Sequence, residues 1–112
     1  MSGSFEIKKA KDGQFYFHLK AGNGEIILSS EMYEAKASAE KGIASVQVNS
    51  SHEERYHRDI ASNGKFYFTL EAANFQVIGN SQMYVSAANR DAGIDSVKAN
   101  GSTSVIKDLS AE

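Results

Sequence analysis

Residues 51–57 read Ser-His-Glu-Glu-Arg-Tyr-His, the stretch where imidazole, carboxylate and hydroxyl groups crowd most densely. Two histidines with acids between them suggest zinc, and the order is close to the His-Glu-x-x-His of metalloproteases. That motif works because residues four apart share a helix face, so both imidazoles reach one ion while the glutamate acts as base. Here His52 and His57 are five apart, in a segment that reads as a loop running into a strand. They diverge on a helix and take opposite faces of a strand. The segment is expected to be a solvated connector that holds no metal.

Nucleophilic chemistry finds little support. Ser30 and Ser45 recur 51 positions on as Ser81 and Ser96, but none stands in Gly-x-Ser-x-Gly, and there is no cysteine. Hydrogen bonding in turns and helices accounts for them more simply. No glycine-rich strand-to-helix turn is present to cradle a phosphate. No catalytic residue and no cofactor are expected; the alternative reading is an enzyme or metal-dependent protein using His18, His52 or His57.

Aromatic residues offer a different chemistry. Tyr16, next-but-one to His18, and Tyr67 alternate with phenylalanines in Phe15-Tyr16-Phe17-His18-Leu19 and Phe66-Tyr67-Phe68-Thr69-Leu70. In a strand such alternation puts phenylalanine and leucine on one face, expected to be core, and the tyrosines on the other. Exposed sheet aromatics grip peptides or stack on bases, or simply pair across strands with their hydroxyls in water. Phe75, in the turn Ala73-Asn74-Phe75, is a further contact candidate. Tyr16, Tyr67, His18 and Phe75 are therefore the candidate binding residues.

The elements that must position them are written twice. A shift of 51 positions aligns Gly13 with Gly64, Phe17 with Phe68, Tyr33 with Tyr84 and Gly42 with Gly93, with 17 identities in the 38 ungapped pairs from Asp12–Asn63 to Asn49–Asn100. Composition alone gives about two or three. Asp12-Gly13 and Asn63-Gly64 predict tight hairpins. Strands are expected at 5–9, after Gly13 and at 25–28, and in the second copy at 55–60, after Gly64 and at 76–78. Ala39, Ile43 and Val46 then follow helical spacing, with Ser86 as the N-cap of the second helix and Ala35 a weaker start to the first. Gly42 and Gly93 fall in mid-helix, which implies close approach to the sheet or a break. Residues 104–107 are expected to add an edge strand.

Each copy is thus β-β-β-α, and 50 residues bury little surface alone. The chain is expected to be a single α+β domain over 1–112. Repeat one covers about 5–50, repeat two about 55–101, and a short tail 102–112. Pseudo-twofold symmetry makes it a covalent analogue of a dimer and a monomer overall. Whether the six strands form one sheet or two stays open. Net charge is −2, with no excess of basic residues in either half, so nucleic acid is not expected as a partner. No apolar run suits a signal peptide or a membrane span, and a soluble cytoplasmic protein is expected, with an unidentified protein or small molecule as partner.

The pattern Gly-[Lys/Gln]-Phe-Tyr-Phe-x-Leu-x-Ala-x-Asn, then Ser-[Glu/Gln]-Met-Tyr, then Gly-Ile-x-Ser-Val, resembles the YegP-like family of small bacterial proteins across almost the whole chain. The resemblance implies the α+β fold and no activity, the family being one of unknown function, and it supplies no catalytic residues. Leu28 departs from it where Gly79 keeps the more typical residue, so packing is expected to differ there.

Overall fold

The computed structural model describes residues 3–110. The first repeat forms strands β1 (Ser4–Lys9), β2 (Phe15–Lys20) and β3 (Ile26–Ser29) and helix α1 (Lys36–Asn49); the second forms β4 (Tyr56–Ile60), β5 (Phe66–Glu71), β6 (Val77–Asn80) and α2 (Ala87–Asn100). A last strand, β7 (Ile106–Asp108), lies parallel to β1, starting two residues later than expected. All seven strands make one sheet, in the order β4-β5-β6-β3-β2-β1-β7. The repeats join through β3 and β6, where Ser29 pairs with Asn80.

All four hairpin turns within the meanders use one device. An Asx carboxyl or amide oxygen accepts from the backbone two residues on: Asp12 from Gln14, Asn23 from Glu25, Asn63 from Lys65 and Asn74 from Gln76, each at 3.0 Å. The residue between has positive φ, and at Gly13, Gly24 and Gly64 this needs no side chain to be accommodated. Phe75 is the exception, holding φ 69° at the place of Gly24.

Beyond the turns, alternation buries Phe5, Ile7, Phe17, Leu19, Phe68 and Leu70 on one face, against Ala39, Ile43 and Val46 of α1 and Ile94 and Val97 of α2. Each of the larger side chains contributes about 1.5–3 kcal/mol on burial. Phe15 and Phe66, read as core, are only partly buried at its rim, under Lys9 and Arg90 respectively. The alternation breaks in β3 and β6. A register shift opposite each strand leaves Ile27 with Leu28, and Ile78 with Gly79, buried as consecutive pairs.

Each helix packs on its own repeat and the other: α1 on β2 and also on β5 and β6, α2 on β5 and also on β2 and β3. The mid-helix glycines mark where this contact is closest. Tyr33, pinned by two 2.7 Å backbone hydrogen bonds to Phe15, reaches Gly42 so closely that a Cβ there would stand 2.6 Å from its hydroxyl, and Tyr84 meets Gly93 in the same way. The helices run through these glycines unbroken. Ser86 Oγ caps α2 by accepting from Asn89 N, whereas Ala35 provides no side-chain cap for α1. Lys36, in the first turn of α1, instead reaches Asp108 of β7 at 2.7 Å.

Candidate functional site

The sheet face away from the helices has no layer over it among the described residues. Its middle is one polar row, with a residue from every strand: His57, Thr69, Asn80, Ser29, His18, Glu6 and Lys107, each paired in register with the next. Alternation dictates this row, because the neighbouring residues Phe17, Leu19, Phe68 and Leu70 turn inward.

His18 is the most constrained of the row. It is half-buried, and its ring stands edge-on to Tyr16 at 5.3 Å between centroids. Its Nδ1 is shielded from solvent without a hydrogen-bond partner among the described residues. Burial first, and Lys8 next, push its pKa below the ordinary 6.5, against an opposing pull from Glu6. Glu6 itself is buried and paired with Lys20 at 3.1 Å.

Tyr67 also lies on this face, its hydroxyl 3.4 Å from Asp59 of β4. The two tyrosines do not form one site. Strands β3 and β6 separate β2 from β5, which puts three inter-strand spacings, about 14 Å, between them. They also lie on opposite sides of the polar row, so the face carries two stations.

The repeat shift exposes a further asymmetry. Lys8 corresponds to Asp59 and Lys20 to Glu71, while Glu6 gives way to His57, so two charges on this face reverse from one half to the other. On this face alone, with Lys107, one half is basic and the other acidic, while the totals of the chain nearly cancel. This reversal was legible in the repeat alignment, but only once strand faces sort the charges.

The histidines do not converge. His52 precedes a 3-10 turn at Glu53–Arg55 and lies 3.6 Å from Glu54, whereas His57 and His18 occupy β4 and β2. Among the described residues no group of three His, Cys, Asp or Glu side chains could hold a metal ion. The connector serves a different purpose. Glu53 receives Arg58 at 2.8 Å and also Lys98, and Arg58 continues to Asp91 at 3.1 Å, which ties the turn to β4 and α2. Tyr56, not singled out from sequence, is buried and donates its hydroxyl to Ser50 O at 2.6 Å.

The recurring serines are structural. Ser30 Oγ accepts from Phe17 N at 2.8 Å and Ser81 Oγ from Phe68 N at 2.9 Å, while Ser45 and Ser96 Oγ accept from the Asn49 and Asn100 amides. Between the repeats lie two equivalent grooves, of ≈ 460 Å³ beside Tyr33, Lys41 and Ile78 and of ≈ 320 Å³ beside Tyr84, Ala92 and Ile27. Burial, and then Glu31, raise the Tyr33 pKa. Phe75 stands apart from both, 81% exposed at the β5–β6 tip.

Two copies of one unit, joined edge to edge and each roofed in part by the other's helix, match a described family twice over. The family with the description "Domain of unknown function (DUF1508)" covers residues 10–56 and again 61–108. The chain belongs to the DUF1508 family. Among its relatives, the UPF0339 protein YegP of Escherichia coli K12 is 63% identical over 108 residues, which cover 96% of this chain and 98% of that one. A UPF0339 protein of Acinetobacter baylyi is 66% identical over 109 residues, 97% of this chain and 98% of the relative. The solution NMR structure of the Escherichia coli protein of unknown function yegP superposes with a TM-score of 0.94 at 61% identity, covering 100% of this chain and 97% of that one. That of a UPF0339 protein from Shewanella oneidensis gives 0.93 at 57% identity, covering 98% and 93%. None of these descriptions names an activity. No helix of the described residues is long and apolar enough to cross a membrane.

Proposed function

We propose that the protein is a non-catalytic binding module, monomeric and cytoplasmic, that takes a protein or small-molecule partner on the sheet face opposite its helices. The observation that carries this reading is the station at Tyr16 and His18: two rings packed edge-on, half-buried on a face without a covering layer, one bearing a shielded and unpartnered nitrogen. A partner seated on this face meets the Tyr16 ring and the accessible part of the His18 ring, while Nδ1 itself lies beneath the surface. Lys20 beside this station is paired with Glu6, which leaves Lys8, opposite Tyr16, as the charge without an ion-pair partner among the described residues, so the station favours a neutral or anionic ligand.

Affinity capture from cell extract, with identification of both proteins and small molecules, tests the reading when run in parallel with Tyr16→Ser and Tyr67→Ser. The expected result is a partner retained by the parent protein and lost with Tyr16→Ser, at unchanged far-UV circular dichroism. Identical captures from the parent and both variants would overturn it.

A further inference from the structure

The two hairpin tips that flank the polar row are equivalent under the repeat and different in chemistry. At the β5–β6 tip, Glu54, Arg55, Glu71, Ala72, Ala73 and Phe75 line a cavity of ≈ 300 Å³. At the β2–β3 tip the matching cavity of ≈ 290 Å³ has Lys20, paired with Glu6, in place of Glu71 and Gly24 in place of Phe75, with Lys107 added from β7. The backbone at this position suits glycine, with φ 89° at Gly24, yet the second tip holds phenylalanine at φ 69°. No packing within the chain compensates, because the ring is the most exposed large hydrophobic group described.

The charges around the ring sort unevenly. Arg55 Nε donates to Asn49 Oδ1 at 3.0 Å and its guanidinium lies 3.6 Å from Glu54, so these two charges answer one another. Glu71 has no ion-pair partner among the described residues, whereas its counterpart Lys20 is held by Glu6. What remains is one unmatched carboxylate, one exposed aromatic ring and a floor of two alanines. An ammonium or guanidinium group answers both features, through an ion pair with the carboxylate and attraction to the ring face, while its alkyl stem lies over the alanines. An anion is opposed by Glu71 and finds only Arg55, whose charge Glu54 already answers.

We infer that the β5–β6 tip is a docking site for a lysine or arginine side chain presented by a protein partner, with Glu71 taking the charge and Phe75 the stem and head group. The site is distinct from the Tyr16–His18 station, and either can fail alone. The probe is an acetylated, amidated peptide of alternating leucine and lysine, titrated into ¹⁵N-labelled protein, with its glutamate counterpart and spermidine as controls. The lysine peptide is expected to shift the amide signals of Ala72, Ala73 and Phe75, with at least tenfold weaker binding to Phe75→Gly and to Glu71→Lys. Phe75→Gly is expected to melt no lower than the parent, since glycine suits this backbone, so the lost binding is not lost folding. Unmoved signals at millimolar peptide, equal affinity for Phe75→Gly, or equal binding of the glutamate peptide at this tip would each overturn the inference. Spermidine binding as tightly as the peptide would overturn the assignment to a protein.

Discussion

The Tyr33 hydroxyl occupies the space into which a side chain at Gly42 would grow, and Phe17 Cε2 closes the same space at 2.9 Å. Alanine at position 42 gains about 1 kcal/mol of helix propensity but overpacks a site whose neighbours are fixed, at about 1–3 kcal/mol. Gly42→Ala and Gly93→Ala are each expected to destabilise the protein in urea unfolding. Tyr33→Phe, which removes the hydroxyl, should recover part of the first loss.

Leu28 and Gly79 form a second such pair, across the join of the repeats. A Cβ on Gly79 would stand 2.6 Å from Leu28 Cγ, so the leucine fills the space that the glycine leaves. Leu28→Ala opens a cavity and is expected to cost about 2–5 kcal/mol. Combined with Gly79→Ala, which overpacks alone, the loss should be smaller than the sum of the two, as a double-mutant cycle will measure.

Acid should loosen the two clasps that hold the sheet's ends. Lys36 first, and Ser110 next, hold the Asp108 carboxyl down to about 2, while Lys98 and Arg58 lower Glu53, and Arg58 lowers Asp91. Folded values below unfolded ones mean that this stabilisation is complete above the ordinary carboxylate range near 4 and is lost as pH falls towards 2. All three carboxylates are exposed, so salt should weaken the effect. Lys36→Met should return the Asp108 midpoint towards its ordinary value, read from its side-chain carbon shift.

His18 gives a limb of the pH profile nearer neutrality. Its folded pKa lies below 6.5, so the unfolded chain binds the proton first as pH falls. Stability should therefore decline below pH 6.5 until the folded state is protonated as well. His18→Thr, which installs the residue found at position 69, should flatten that decline in thermal melts run from pH 7.5 to 5.

Much of the fold was legible because it rests on local rules. The Asx-Gly turns, the alternating Phe-Tyr-Phe strands and the Ser86 cap each depend on residues within a few positions of one another. The single sheet was not legible, since it depends on β3 meeting β6, two short strands whose alternation a register shift disrupts. Phe15 and Phe66 were placed too deep because strand alternation gives the face and not the distance from the rim. Of the candidate site, Tyr16 beside His18 could be read from spacing alone. The burial of Glu6, the anchoring of Tyr56 to Ser50 and the unmatched charge of Glu71 required knowing which distant strands and helix ends come together.

The crossing of the helices makes the stretch that repeats shorter than the stretch that folds. Since α1 rests on β5 and β6 and α2 on β2 and β3, opening either half strips the other of part of its cover. Amide exchange should consequently show a common ceiling of protection in Phe17, Leu19, Phe68 and Leu70, reached only by global opening. The 51-residue period is a unit of inheritance, while the unit of cooperativity is the pair.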